Sequence, residues 1–497
     1  MNRRWPMPVG DVHWEVTNGC NLHCPHCVQC SGLPRVGELT TVEAYTVIDH
    51  LFAAGVSRIC WTGGDPFVRR DFFSLVKRAA AIGLAQAVIT NATLITELDV
   101  RTLASYDIPM GISLDGTTAR VHDSVRGGQT YSQVVKVIDW AIIHRVPVTV
   151  YTTVIRRTLS DIDDIIAYAH QRGLRLHINE VSLAGRAARL WPWLGLSEVQ
   201  RQELVTRVSG AAQEHFGETL AWEPDGCWAD GTAVYLRSDG QVFLCSEQVQ
   251  HAHSAALGHI LERPLDELLQ TDLVGRCADS MCSYRVLASP NVTLIVNHPV
   301  RCPLVPPEPE IRSLDECNQA FDALYAPFAE VCRTCTDKCC QGYVWLMPEE
   351  LARMQESGVE TITVNDAAHY IHSFPEKPDG SIDVSVPSPL CSQLCSLQPR
   401  RCRVYTDRPF SCRLYPIGFE EQDNGKLIWA IHHDCLIIRF LERSGMLDEF
   451  RRRALQVLDR INPELYARII ETYRRVQDLA TFPDGNNNIS SLKEVKA

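Results

Sequence analysis

Apolar residues recur with two distinct periods over the first 180 or so positions of the chain. Alternating or continuous apolar runs at Val12–Val16, Arg58–Thr62, Gln86–Thr90, Met110–Leu114, Pro147–Val154 and Arg175–Val181 read as strands. Between them, Thr41–Ala54, Arg70–Ile82, Glu97–Ser105, Tyr131–His144 and Asp161–Arg172 place apolar side chains at helical spacing. Strands alternating with helices of this length predict βαβ units and a parallel sheet. The expected fold class is therefore α/β, and six repeats suit a partial (β/α)6 TIM barrel. Chemistry in such a barrel sits in the loops that follow the strands' carboxyl ends.

The pattern changes beyond this core, which we bound at 11–200. A second region, 205–302, carries a hairpin signal at Ser238-Asp239-Gly240 and a short helical stretch, Leu265–Leu269. Residues 303–314, with Pro306, Pro307 and Pro309, read as an extended linker. Residues 315–445 are expected to form an α+β domain rich in cysteine. A single helix is expected over 446–480, with Arg451-Arg452-Arg453 on a solvated face. The polar tail 481–497, with Asn486-Asn487-Asn488, is expected to be disordered. No repeat of fixed period is present.

Charge and composition narrow the function. The 497 residues carry a formal charge of −12, so nucleic acid and anionic membrane are not expected partners. No apolar run reaches the roughly 20 residues of a membrane helix, and Met1–Pro6 lacks the apolar stretch of a secretory signal. These features predict a cytoplasmic protein. In a reducing compartment, 20 cysteines point to metal rather than disulfides. The cysteines cluster in three places, implying two or three metal centres.

The first cluster is Cys20-Asn-Leu-His-Cys24-Pro-His-Cys27, directly after the first strand. Three thiolates on one loop can ligate three irons of a [4Fe–4S] cluster and leave the fourth iron open to a small molecule. Cys30 is close enough in sequence to close the cluster, and zinc is the competing occupant. The loop and its strand resemble those of the radical S-adenosylmethionine (SAM) enzymes, over residues 11–185. The resemblance implies that Cys20, Cys24 and Cys27 are the iron ligands, that Cys30 is a bystander, and that His23 and His26 do not ligate. It further implies that the cluster cleaves SAM to a 5′-deoxyadenosyl radical, which abstracts hydrogen from a substrate. Gly63-Gly64-Asp65-Pro66 resembles the family's Gly-Gly-Glu-Pro segment at the SAM amino group, with aspartate in place of the commoner glutamate. Thr90-Asn91 resembles the family's Thr-Asn-Gly, with Ala92 in place of glycine. Ser113-Leu-Asp115-Gly116 resembles the segment near the SAM ribose and carboxylate. Arg126 is either a partner for that carboxylate or a surface arginine.

In the second region, Cys227 and Cys245 flank the expected hairpin, and Cys277 and Cys282 follow. This arrangement resembles the SPASM or shorter twitch extension of radical SAM enzymes and implies one auxiliary [4Fe–4S] cluster. Cys302 can replace Cys277 or Cys282, and four thiols also suit tetrahedral zinc. The third region begins with Cys332, Cys335, Cys339 and Cys340, followed by Cys391, Cys395, Cys402, Cys412 and Cys435. With Arg408-Pro409-Phe-Ser-Cys412-Arg413-Leu-Tyr-Pro416 and the acidic pair Glu349-Glu350, it resembles the CxxCxxCC family of zinc- or iron-chelating domains. Soft thiolates suit zinc or iron there.

The N-terminal half most resembles the maturases of mycofactocin and pyrroloquinoline quinone. The resemblance implies a peptide or small-molecule substrate and a flavodoxin- or ferredoxin-type electron donor. The alternative from another class is an iron–sulfur or zinc carrier, or a redox sensor, without turnover.

Overall fold

A computed structural model describes residues 10–182, 184–222, 233–246, 249, 256–270, 284–297, 309–328, 331, 344–364, 368–371, 395–397, 400–402, 407–421, 427–433, 435–477 and 489–494. The chain divides into two compact units, Met1–Pro307 and Glu308–Ala497.

Unit one is built on six strands in sequence order: β1 (Asp11–Thr17), β2 (Arg58–Gly63), β3 (Ala85–Thr90), β4 (Met110–Ser113), β5 (Val148–Val154) and β6 (Arg175–Glu180). Each pairs in parallel with the next. The crossovers are α1 (Thr41–Ala53), α2 (Phe72–Ala81), α3 (Glu97–Ser105), α4 with α5 (Ala119–Arg126, Tyr131–Ile143) and α6 (Ile162–Gln171). Local sequence starts several of them. Thr40 with Glu43, and Thr96 with Asp99, form capping boxes that satisfy the first free N–H groups of α1 and α3.

Strand alternation decides which face packs. Val148, Val150 and Val154 of β5 and Leu176 and Ile178 of β6 are buried in one core with Ile162, Ile165, Ile166 and Ala169 of α6. Each such side chain contributes about 1.5–3 kcal/mol on burial. The intervening Thr149, Tyr151, Thr153, His177 and Asn179 are half-buried and lie on the face turned away from the helices. That face is polar and solvent-reachable, as an open barrel requires.

The sheet does not stop at six strands. After α7 (Gly185–Leu194) and α8 (Glu198–Phe216) come β7 (Ala221–Trp222), β8 (Ala233–Leu236), β9 (Gln241–Phe243), β10 (Gly258–His259), α9 (Leu265–Leu268), β11 (Tyr284–Ala288) and β12 (Val292–Asn297). β8 pairs in parallel with β1, and β12 in parallel with β6. The full order is β10-β9-β8-β1-β2-β3-β4-β5-β6-β12-β11-β7. The expected break at 200–205 falls inside α8, a helix started by the Ser197–Gln200 capping box. The second region thus extends both edges of the barrel sheet rather than following it. The hairpin at Ser238-Asp239-Gly240 is present, with Gly240 at φ +83° and its N–H bonded to Arg237 O.

Unit two contains α10 (Leu314–Tyr325), α11 (Leu351–Glu356), α12 (Phe410–Leu414), α13 (Leu436–Arg443), α14 (Leu447–Asp459) and α15 (Pro463–Gln477). Its strands are β13 (Trp345–Leu346), β14 (Thr361–Val364), β15 (Ala368–Ile371), β16 (Cys395–Leu397), β17 (Arg400–Cys402), β18 (Ile417–Glu421), β19 (Leu427–His432) and β20 (Ile489–Glu494). Two expectations are corrected here. The single helix over 446–480 is two helices, because Pro463 has no N–H to continue the ladder and Asn462 Oδ1 accepts from Glu464 N (2.9 Å) to start α15. The tail 481–497 is not wholly irregular, because Ile489–Glu494 pairs with β19, whose outer edge would otherwise be open.

Candidate active site

The cysteine loop leaves β1 and is closed at its neck. Cys20 N donates to Gly32 O (2.9 Å) and Gly32 N to Asn18 O (3.1 Å). Glu38 ties the same turn by accepting from Thr17 Oγ1 (2.9 Å), Asn18 N (2.6 Å) and Arg35 N (2.9 Å). Cys24 is buried, Cys20 and Cys27 are half-buried, and all three are free thiols. Cys30 is exposed, with φ +50°. Among the described residues, no three His, Cys, Asp or Glu side chains converge on a point that one metal ion would fill.

Gly63 and Gly64 bring the second βα loop against this turn. Gly63 has φ +142°, and a Cβ on Gly64 would stand 2.2 Å from Gly19 O. The approach lets Gly64 N donate to Thr17 O (2.8 Å) and Asp65 N to Gly19 O (2.9 Å). The Asp65 carboxylate turns inward, where it accepts from Phe67 N (3.0 Å), Thr90 Oγ1 (2.8 Å) and Asn91 N (2.8 Å). Burial pushes its pKa up, against the pull of these bonds. Aspartate therefore clamps the ends of β2 and β3 together. Asn91, held in this way, donates from Nδ2 to Asn21 Oδ1 (3.0 Å) and lies 3.8 Å from Cys20 Sγ. Ala92 occupies the left-handed region at φ +62°, which explains why glycine is the commoner residue at such a turn.

The fourth strand end supplies charge. Ser113, nearly buried, ends β4, and Asp115 beyond it is fully buried. Asp115 accepts from Arg126 Nε (2.6 Å) and Thr153 N (2.8 Å). Burial alone would raise the Asp115 carboxyl, but Arg126 and His26 hold it down at about 2. Arg126, on the last turn of α4, is no surface residue: its side chain is 11% exposed. Its charge also opposes the upward shift that burial imposes on Cys24. His26 Nε2 stands 3.7 Å from Asp115 Oδ2, and its buried Nδ1 has no partner among the described residues. Burial pulls His26 down to about 4.

These groups fit an iron–sulfur cluster. Three thiols come from one loop, Leu22 N donates to Cys20 Sγ (3.4 Å), and a buried guanidinium stands near Cys24. Burial raises the Cys20 thiol to about 11, so ligation must displace its proton. Residues 14–169 match the family model described as the radical SAM superfamily. These residues are a radical SAM domain.

Such a domain implies a [4Fe–4S] cluster with SAM. Residues 331–435 match the CxxCxxCC model, described as a "Putative zinc- or iron-chelating domain", which suggests metal chelation. The chain is 35% identical over 193 residues to the mycofactocin maturase MftC of Mycobacterium ulcerans, covering 38% of this chain and 52% of that protein. It is 34% identical over 155 residues to the PqqA peptide cyclase of Bradyrhizobium diazoefficiens, covering 31% and 41%. It is 26% identical over 318 residues to the AdoMet-dependent heme synthase of Methanosarcina barkeri, covering 55% and 88%. Among solved structures, Streptococcus suis SuiB bound to S-adenosylmethionine is similar with TM-score 0.46 and 15% identity, covering 54% and 67%. The chain spans about half the length of the maturases it matches.

One functional group of the radical SAM domain was not apparent in the sequence. Glu15, fully buried in β1, accepts from Arg35 Nε (2.8 Å), Ser238 Oγ (2.8 Å) and Tyr235 Oη (3.1 Å). It joins the exit of the cysteine loop to β8 and its hairpin. At the other edge Glu180 accepts two bonds from Arg201 (2.8 Å each) and one from Asn297 N (2.8 Å), fixing the end of β12. No short motif signals these links, because their partners lie far apart in sequence.

The remaining expected ligands divide between seen and unseen. Cys245 is half-buried after β9 and packs on the barrel core. Cys227, Cys277, Cys282 and Cys302 lie outside the described residues, as do Cys332, Cys335, Cys339, Cys340 and Cys391. The backbone of β16 and β17 sets Cys395 directly across from Cys402. Cys412 sits half-buried on α12, and half-buried Cys435 precedes α13. Fully buried Glu350 accepts from Met347 N (3.0 Å) and Phe410 N (2.8 Å), anchoring the helix that bears Cys412. Glu349 instead bonds Arg468 (2.7 Å).

Among the described residues, no helix is long and apolar enough to cross a membrane.

Proposed function

We propose that this protein is an enzyme that reductively cleaves SAM and uses the resulting radical to abstract hydrogen from a peptide or small natural product. The single observation that carries the reading is the convergence of four successive strand ends on one cysteine loop. Cys20, Cys24 and Cys27 would hold the cluster. A cluster held there would supply the one electron that splits the C5′–S bond of SAM into methionine and a 5′-deoxyadenosyl radical.

This chain's own residues prepare the site. Gly63 and Gly64 keep backbone close to the ligand loop, and Asp65, which bonds Thr90 and Asn91, sets Asn91 beside Cys20. Asp115 orients Arg126, whose guanidinium is the candidate partner for the SAM carboxylate. The face of β5 and β6 turned from the helices bears Thr149, Tyr151, Thr153, His177 and Asn179. Burial keeps His177 neutral at about 4, so this stretch is uncharged. An uncharged substrate portion, such as a peptide segment, suits it, and the likeness to a peptide cyclase supports the same reading. A small-metabolite substrate is the second reading, supported by the alignment that runs through most of a heme synthase.

We further propose one auxiliary [4Fe–4S] cluster on Cys227, Cys245, Cys277 and Cys282, and zinc or iron in the C-terminal unit. A flavodoxin or ferredoxin would donate the electron, in the reducing cytoplasm. The carrier alternative predicts no turnover. Anaerobically reconstituted full-length protein should convert SAM to 5′-deoxyadenosine with dithionite, and no cleavage would reject the enzyme reading. Deuterium transfer into that product from labelled candidate peptides, or from labelled small metabolites, separates the two substrate classes.

A further inference from the structure

The Cys24–Cys27 half of the loop has little backbone bonding of its own. Within it Cys27 N donates to Cys24 O at 3.2 Å, and Cys30 N reaches Cys27 O only at 3.5 Å. Its main support comes from the start of α7, beyond the residues matched to the radical SAM family. Gly185 lies at φ +57°, and a Cβ there would stand 2.0 Å from Val28 O and 2.5 Å from Cys27 O. Glycine alone permits that approach. The approach lets Arg186 N donate to Cys27 O (2.9 Å). The Arg186 guanidinium then spreads across the loop, from Nη1 to Cys24 O (2.6 Å) and from Nη2 to Ser31 O (2.6 Å).

We propose that Arg186 is a positioning residue for the cluster, holding the Cys24–Cys27 segment in the geometry that presents the open iron to SAM. The inference rests on the radical SAM reading above. One residue grips the carbonyls of two expected ligands and a third carbonyl where the loop returns to its neck. A planar guanidinium fits this task because its two Nη groups donate in fixed, divergent directions. A lysine ammonium keeps the charge but cannot span both carbonyls with the same geometry. Arg186 also brings a second cation to the Cys24 side of the site, after Arg126.

The test uses anaerobically reconstituted full-length protein, with SAM itself as the probe. Electron paramagnetic resonance of the dithionite-reduced cluster is recorded during a SAM titration, with far-UV circular dichroism as a fold control. Wild type should show a SAM-dependent change of signal. Arg186→Lys and Arg186→Gln should need about tenfold more SAM for half of that change, in the range of outer-shell effects on metal sites. Gly185→Ala, which keeps the guanidinium, should shift the titration in the same direction. Wild-type titrations in both arginine variants would overturn the proposal. Loss of the folded dichroism signature in Arg186→Lys would overturn it too, by making the residue a folding contact. No response in wild type would instead overturn the reading on which the proposal rests.

Discussion

Arg35 closes on the fully buried Glu15 through two parallel bonds, Nε to Oε1 at 2.8 Å and Nη2 to Oε2 at 3.2 Å. Glu15 lies on the strand entering the cysteine loop and Arg35 on the segment leaving it, so the pair is the neck of the loop. Tyr235 and Ser238 complete the same carboxylate from β8 and its hairpin. The radical SAM loop and the second region are thereby fastened at one point.

Removing the cation from this neck should be costly. Arg35→Ala leaves a buried carboxylate without its ion partner, a change worth about 3–5 kcal/mol. The urea midpoint should fall clearly, and reconstituted iron per chain should fall with it. An unchanged midpoint would show that Tyr235 and Ser238 suffice to hold Glu15.

A methyl group at Gly64 tests the contact between the first two βα loops. Its Cβ would meet Gly19 O at 2.2 Å and Asn18 O at 2.6 Å, and backbone cannot swing aside as a side chain can. Overpacking of this kind costs at least about 1–3 kcal/mol. Gly64→Ala should lower stability by that amount and weaken SAM binding, whereas Gly210→Ala, within α8 and with open space around it, should leave SAM binding intact. Equal SAM affinity in wild type and Gly64→Ala would refute the close approach.

The sequence carried the barrel strands because burial on the helix side imposes period two or a continuous apolar run on them, and all six lie within a residue or so of where the pattern puts them. α4 carries no clear apolar periodicity because Ala119–Arg126 is short and polar, although it delivers Arg126. α8 runs across the compositional change at 200–205, and its start is marked in the sequence by the Ser197–Gln200 capping box. The pairing of β8 with β1 and of β12 with β6 is not legible, because those partners lie more than a hundred residues apart in sequence. The cysteine motif was legible because its ligands are local. Arg35, Arg186 and Tyr235 were not, because their meaning comes from contacts that only the folded chain creates.

Cysteine substitutions should separate ligand from bystander. Cys24 is buried within the electrostatic reach of Arg126, whereas Cys30 is exposed at the loop exit. Cys24→Ala should abolish formation of 5′-deoxyadenosine and remove the SAM-responsive paramagnetic signal. Cys30→Ala should retain both within about twofold, an effect of less than about 0.5 kcal/mol. Loss of the signal in Cys30→Ala would make it a fourth ligand and close the iron to SAM.

Glu350 should give the C-terminal unit a definite pH dependence. Burial raises its carboxyl to about 7, although Met347 N–H, Phe410 N–H and Arg353 pull the other way. In the unfolded chain the same group titrates near the ordinary glutamate value, about 4.3. Between these values the folded form holds the proton and the unfolded form does not, so stability must fall as pH rises through that window. The contribution is fully present below about 4.3 and is lost as pH passes about 7. Glu350→Gln removes the titration but also replaces one acceptor oxygen with a donor, which should destabilise the unit at every pH. The measurable quantity is the difference in urea midpoint between wild type and Glu350→Gln at pH 5.5 and pH 8, with the full chain and a fixed metal load. The advantage of wild type should shrink on going to pH 8. If it stays constant or grows, Glu350 is ionised throughout, and its two backbone bonds outweigh the cost of burying its charge.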